Sequence, residues 1–356
     1  MSNSPSLIPH SRPTMPTSEE WQAVTSTLAP GWAADGPRVH DFALAAARWF
    51  GASHGVAVNS GSTALQLALL AAGVRPGSRV AVPSYCCAAV LNSINGAGAQ
   101  PLAIDADPSG HHLSCQDLAR RNVPDLSAII VVHMFGDPID LHPFRQFGVP
   151  IIEDCAQSVG ATIHGRLAGA EGDLAIGSFY ATKVLTTGHG GIVTSRNPSL
   201  VQAVSDLTEY DNRDDWKPRF SVGMSEMQAA LGLWQLERLP DFLSRRRAIA
   251  DYYTVQAVAE LGLAPANHCT VGAEPIYFRY VLRARNAEEA FRRLRERGID
   301  SKRPVYRPLH HYLGGDYPHA QAAHEQIVSL PIYPTLSDDE VERVAVSIRE
   351  LADLWI

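Results

Sequence analysis

Short apolar runs, each followed by a helix-sized segment, recur along this chain and leave it few folds to adopt. Val56-Ala57-Val58 precedes the apolar stretch from Thr63 to Ala72, which Gly73 ends. Val80-Ala81-Val82 precedes a helical segment near residues 86–96. Pro101 to Ile104 comes before a helix that Ser114 caps and that reaches about Asn122. Ala128 to Val132, Pro150 to Ile152, Leu174 to Phe179 and Gly191 to Thr194 continue the series of strands. Apolar runs without polar alternation suit strands covered on both faces. Repeated strand-then-helix units predict an α/β fold with a mostly parallel sheet between helices.

The flanks have a different texture. Residues 1–16 predict an extended arm, because Pro5, Pro9, Pro13 and Pro16 block helix. Thr17-Ser18-Glu19-Glu20 fits a capping box, and the helix it opens runs to about Leu28, before Pro30-Gly31. A second helix over about 38–50 stops at Gly51. Met224 to Leu239 reads as a helix, with a longer one after Pro240. Ile276 to Leu282 then reads as a strand, Asn286 opens an Arg-rich amphipathic helix, and Ser337-Asp338-Asp339-Glu340 is a second capping box. At about 100–200 residues per domain, 356 residues suggest two domains. The expected division is an arm at 1–16, a large domain at 17–240 and a smaller α+β domain at 241–356.

Charge narrows the partners. Lys and Arg number 30 against 37 Asp and Glu, a net charge of −7, with no long basic run. Such a chain has no bulk electrostatic reason to bind nucleic acid or an anionic membrane. No apolar stretch reaches the length of about 18 residues that a membrane span needs. The first residues, MSNSPSLIPHSRP, lack the basic start and apolar run of a signal peptide, so a cytoplasmic location is expected. The five cysteines are odd in number and carry no zinc-cage spacing, which suits buried thiols in a reducing compartment. His111-His112 and His310-His311 are adjacent pairs without ligand spacing, so no metal is expected. Cys86-Cys87 reads as packing, and Arg292, Arg293, Arg295 and Arg297 as a solvated helix face.

Ligands of open α/β sheets bind beyond the carboxyl ends of the strands, and three segments are due there. Asn59-Ser60-Gly61-Ser62-Thr63 follows a strand and opens a helix. Its free N–H groups, with the Ser62 and Thr63 hydroxyls, can hold a phosphate, although an ordinary helix cap has the same composition. Glu153-Asp154-Cys155-Ala156-Gln157 ends an apolar strand in a carboxylate that burial obliges to be paired, by a cation or by capping. Ser178-Phe179-Tyr180-Ala181-Thr182-Lys183 puts a lysine just past a strand, before the Gly-rich 188–191. A desolvated lysine there is a nucleophile, whereas an ordinary one is a solvated charge. Together, a phosphate cradle, a carboxylate and a lysine are what pyridoxal phosphate requires.

The same segments resemble the DegT-type aminotransferases, nucleotide-sugar and aminocyclitol transaminases of pyridoxal phosphate fold type I. The resemblance runs over nearly the whole chain. It is carried by Pro30-Gly31-Trp32, Gly36-Pro37, Val58 to Leu65, Val82-Pro83-Ser84-Tyr85, His133-Met134-Phe135-Gly136, Glu153 to Gln157, Ser178 to Lys183, Met224 to Ala230, Arg303 to His310 and Ser329 to Pro334. It implies a large domain with a mixed, mostly parallel sheet and a smaller α+β domain. It implies pyridoxal 5′-phosphate as cofactor, alternating with pyridoxamine phosphate, and a homodimer with shared sites. Lys183 is then the Schiff-base lysine and Asp154 the partner of the pyridine nitrogen. Gln157 lies near the phenolic oxygen, Gly61, Ser62 and Ser178 are the phosphate ligands, and Thr63 is counted among the cofactor-binding residues.

Three positions depart from the family pattern. Cys87 stands where relatives carry a Phe or Trp stacked on the cofactor ring, with Tyr85 the neighbouring aromatic counted among the cofactor ligands. Ser221 stands where an Asn reaches the partner subunit's phosphate. His189 replaces an Asp or Glu. Trp32, His189, Tyr306, Arg307 and His310 are the expected substrate contacts. The implied reaction moves an amino group from glutamate or glutamine to a keto sugar, with a nucleotide-linked 4-keto-6-deoxyhexose favoured. An aminocyclitol or non-sugar ketone, or a family member kept for binding alone, is the alternative.

Overall fold

Thr17 opens the first helix in the computed structural model, which describes residues 6–28, 31–108, 110–266 and 270–356. Pro5, Pro30 and Cys269 lie outside the described residues. The Thr17 hydroxyl accepts the Glu20 N–H at 3.3 Å, and the Glu20 carboxylate accepts the Thr17 N–H at 2.8 Å, closing the capping box of α1 (Ser18–Ser26). Next come α2 (Pro37–Arg48), β1 (His54–Val58), α3 (Gly61–Ala71), β2 (Arg79–Pro83), α4 (Ala89–Gly96), β3 (Gln100–Ile104), α5 (Cys115–Arg121), β4 (Leu126–Val132) and β5 (Ile151–Asp154). Two short strands, β6 (Thr162–Ile163) and β7 (Arg166–Leu167), precede β8 (Leu174–Ser178), β9 (Gly191–Ser195), α6 (Pro198–Thr208) and α7 (Glu226–Tyr253). The remainder comprises β10 (Ala273–Glu274), β11 (Tyr280–Arg283), α8 (Ala287–Glu296), α9 (His310–Leu313), α10 (Pro318–Gln326), β12 (Ile327–Leu330) and α11 (Asp338–Glu350).

The main sheet has the order β1-β9-β8-β5-β4-β2-β3. β9 is antiparallel to both of its neighbours and every other pair is parallel, so all strands except β9 point the same way. The carboxyl ends of β1, β2, β4, β5 and β8 therefore share one edge. β4 shows why the expected sheet forms. Ala128, Ile130 and Val132 enter the hydrophobic cluster on one face, and Ile129 and Val131 enter a different cluster on the other. Side chains alternate across a strand, so an unbroken apolar run serves both layers.

A second core lies between the antiparallel pair β11–β12, helices α8 and α11, and the C-terminal part of α7. The arm docks on it. Ile8 is fully buried there, and its backbone bonds to Gly298 and Asp300 at 2.8 and 2.9 Å.

Two expectations are corrected. Pro240 does not separate two helices, because α7 runs through it. Its long buried face, which includes Leu236, Leu239, Phe242 and Leu243, offsets the cost of about 3 kcal/mol that an interior proline carries. The strand expected from Ile276 is ladder-paired only from Tyr280. Ile276 and Arg279 instead donate their N–H groups to Gly136 and Phe135, which ties this segment to the loop after β4.

Candidate active site

At the end of β1, the Ser60 hydroxyl caps α3 by accepting the Thr63 N–H at 3.1 Å. Gly61 lies against Ser178 at the end of β8, and a Cβ there would sit 2.6 Å from the Ser178 Cβ. Gly191 likewise lets β9 start against the Ser60 carbonyl, where a Cβ would come within 2.4 Å. Two glycines thus bring three chain segments together around a helix N-terminus, whose unpaired N–H groups and positive dipole end attract an anion.

β5 ends in two carboxylates with different tasks, since neighbouring strand residues face opposite sides. Glu153 is buried and accepts N–H groups from Gly169 at 2.7 Å, from Glu171 at 2.9 Å and from Gly172. His133 Nδ1 accepts the Ile139 N–H at 3.1 Å, so its Nε2 carries the proton and donates to Glu153 at 2.9 Å. Burial alone would raise the Glu153 pKa; these donors overcome it and hold the carboxyl below its ordinary range. Asp154 faces the cavity. Burial pushes its pKa up, while the Ala156 N–H at 3.0 Å, Lys183 and His133 pull against that rise.

Past β8 the chain turns back on itself. The Lys183 N–H bonds to the Tyr180 carbonyl at 2.9 Å, and the Thr187 N–H to the Phe179 carbonyl at 3.0 Å. Lys183 Nζ lies 5.1 Å from the centre of the Phe278 ring. Burial lowers the lysine's pKa and the nearby Arg279 lowers it further, against the opposing pull of Asp154. Arg279 is half-buried, and that desolvation lowers its pKa to about 10.

These groups surround a cavity of about 490 Å³. Of the residues expected from sequence, Gly61, Ser62, Cys87, Asp154, Gln157, Ser178, Lys183 and His189 line it. Gln157 is held by its Oε1, which accepts the Phe135 N–H at 2.8 Å. His189 packs edge-on against Tyr180 at 5.1 Å. Others are placed differently. Thr63 is off the wall, its hydroxyl drawn into the helix cap with Ser60 at 2.8 Å and Asn59 at 2.9 Å. Tyr85 is off the wall and fully buried, edge-on to Phe135 at 6.3 Å, its ring part of the apolar cluster. Ser221 lines a separate cavity with Asp35, His40 and Glu209. Trp32, Tyr306 and Arg307 are exposed and off the wall. His310 is also off it, with both ring nitrogens engaged, by Ser84 at 2.7 Å and Gln321 at 2.9 Å. Ser93, Tyr180 and Thr182 line the cavity and were not singled out from sequence. The last two flank Lys183 closely enough to have been found, whereas nothing local marks Ser93.

A half-buried lysine and a buried carboxylate on one cavity wall beside a helix N-terminus form a transaminase constellation, and known proteins bear on it directly. The model of the DegT/DnrJ/EryC1/StrS aminotransferase family matches residues 15–349. The chain belongs to that family. It is 33% identical over 332 residues to the GDP-perosamine synthase of Caulobacter vibrioides, covering 87% of this chain and 89% of that one. The aminotransferase TlmJ from Streptoalloteichus hindustanus superposes with a TM-score of 0.89 at 31% identity, over 97% of this chain and 98% of that one. Spr1654 from Streptococcus pneumoniae, solved in its pyridoxal phosphate form, gives a TM-score of 0.88 at 27% identity, over 98% of this chain and 99% of that one.

The enzyme is thus a pyridoxal phosphate-dependent aminotransferase, and its residues fit that cofactor. The close approach of Gly61 to Ser178 forms a cradle at a helix N-terminus, which suits a phosphate. Asp154, a buried acid whose carboxylate accepts the Ala156 N–H, suits a protonated ring nitrogen.

Proposed function

We propose that the enzyme transfers an amino group from glutamate or glutamine to a nucleotide-linked keto sugar, with a 4-keto-6-deoxyhexose as the favoured acceptor. The observation that carries the transamination is the joint placement of Lys183 and Asp154 on one cavity wall, each with its pKa moved by burial. The sugar class rests on the relative named for a GDP-linked amino sugar. Ser62, Gly61 and Ser178 hold the phosphate, and Asp154 keeps a proton on the ring nitrogen. Pyridoxal phosphate, when bound, supplies the electron sink that makes a proton on the substrate's α-carbon removable. Lys183 Nζ takes that proton and returns it; burial favours the neutral amine this requires. The Phe278 ring and the apolar wall of Leu65, Val90, Val132 and Ile176 keep bulk water from the lysine.

The same reading has the enzyme act as a cytoplasmic homodimer. Large aromatic side chains left in solvent, Trp216 at 90% and Tyr306 at 89% exposure, support a covered face. No helix among the described residues is long and apolar enough to cross a membrane. The test loads the enzyme with pyridoxamine phosphate and offers nucleotide-linked keto sugars alongside aminocyclitol ketones. Return of the aldehyde-form absorbance with a keto sugar is expected. Return only with a non-sugar ketone, or with none, would sink the substrate assignment.

A further inference from the structure

Two buried groups of metal-ligating side chains occur among the described residues. In His133, Glu153 and Cys155 the imidazole and the carboxylate are already satisfied by the hydrogen bonds given above. In the other group, His111, His112 and Asp137, the imidazoles are not. His111 is wholly buried and, among the described residues, neither of its ring nitrogens has a hydrogen-bond partner; the same holds for Nδ1 of His112. A neutral imidazole carries one N–H donor and one lone pair, and buried polar atoms are paired in all but a few cases.

The geometry points to the missing partner. His112 Nε2 lies 3.3 Å from Asp137 Oδ2. That is long for a charge-assisted hydrogen bond, typically about 2.7–2.9 Å. It matches the edge, about 3.3 Å, of a tetrahedron whose ligands stand about 2.0 Å from a central ion. One ligand atom from each residue lies within 4.8 Å of the others. His112 also lines a surface cavity of about 570 Å³ together with Asp107 and Asp140, which gives an ion a route in and a water a place to stay. Two imidazoles and one carboxylate suit zinc and its neighbours rather than magnesium or calcium. We propose that His111, His112 and Asp137 form a site for a divalent transition-metal ion of the zinc class, its fourth position open to the cavity.

The site reaches the transaminase centre. His111 packs on Phe135 with ring centres 4.5 Å apart, and Phe135 holds Gln157 through its N–H. Phe135 sits at φ +61°, in the left-handed region that a bulky residue adopts only when its surroundings insist. A bound ion pins the loop after β3 to the loop after β4, and so fixes the residue that positions Gln157.

The test uses untagged holoenzyme stripped with a chelator, then titrated with Co²⁺ followed by Zn²⁺. One Co²⁺ per chain is expected, with the intense visible bands of tetrahedral coordination, displaced by Zn²⁺. Zn²⁺ should also raise the melting temperature. His111→Phe and His112→Asn should each weaken binding at least tenfold, while His310→Ala with His311→Ala should leave it unchanged. Absence of binding, a weak octahedral spectrum, equal affinity in the two site variants, or loss of binding in the His310/His311 variant would each overturn the proposal. If the site variants fail to fold, the parent's Co²⁺ spectrum and stoichiometry decide. The outcome is independent of whether a keto sugar is the acceptor.

Discussion

At the scale of the residue, the proposed chemistry rests on Lys183 and Asp154, charged groups that the fold draws away from water. Asp154 opposes the lowering of the Lys183 pKa, so Asp154→Asn should lower that pKa further below the ordinary 10.5. The pH dependence of Lys183 acylation in cofactor-free protein measures this; an upward or absent shift would contradict the coupling. In turnover, Asp154→Asn should cost about 3–5 kcal/mol, roughly a hundredfold to a few thousandfold, because a buried charge loses its partner. A loss under about tenfold would remove Asp154 from the ring nitrogen. Cys87 is exposed on the cavity wall, and its neighbour Tyr85 is committed to the core. Cys87→Phe should therefore tighten pyridoxal phosphate by up to roughly tenfold through stacking worth about 0.5–1.5 kcal/mol. Titration of cofactor into both proteins reads this, and weaker binding would mean that the added ring overfills the site.

At the scale of the element, β5 depends on the Glu153 clasp, which anchors the loop before β8 to the strand that carries Asp154. The Glu153 carboxyl titrates below its ordinary 4.5 in the folded protein. The folded state thus binds fewer protons than the unfolded chain in that window. The stability it contributes is present above 4.5 and lost as pH falls through the lowered value. Glu153→Gln should cost about 1–3 kcal/mol at neutral pH, because an amide cannot accept from all the N–H groups aimed at it. It should also flatten the acid limb of the melting curve. An unchanged acid limb in thermal melts from pH 7 to 3 would show that the clasp is not what acid breaks.

At the scale of the whole molecule, the arm couples the chain's start to its second core. His10 is buried against Ser329 at 2.9 Å, and burial with Arg279 and Lys302 lowers its pKa to about 2. It is neutral when docked, whereas the released arm takes up a proton below 6.5. Arm docking therefore strengthens as pH rises towards 6.5 and weakens below it. Hydrogen exchange in residues 6–16 should be faster at pH 5 than at pH 8 after correction for intrinsic rates. His10→Gln, neutral at both, should lose the difference. Equal protection at both pH values in the parent would refute the linkage.

The inner strands of the main sheet were legible in the sequence because they are apolar runs largely buried on both faces, and that pattern has few other readings. The capping boxes at Thr17 and Ser337 were legible because capping is local chemistry. That Gly61, Asp154 and Lys183 share one cavity could be read because each lies at or shortly past the end of a strand, and strand direction sends all such residues to one edge. What the sequence left undetermined depends on partners far along the chain. Pro240 stays helical because of what α7 packs against, and Tyr85 turns inward because Phe135 waits there. His310 is a clamp because Ser84 and Gln321 meet it. His111-His112 has no ligand spacing of its own, and only the fold brings Asp137 from the loop after β4 to within 3.3 Å of His112. Local preference sets elements within a few residues of themselves; contacts between distant segments are chosen by packing the whole chain at once.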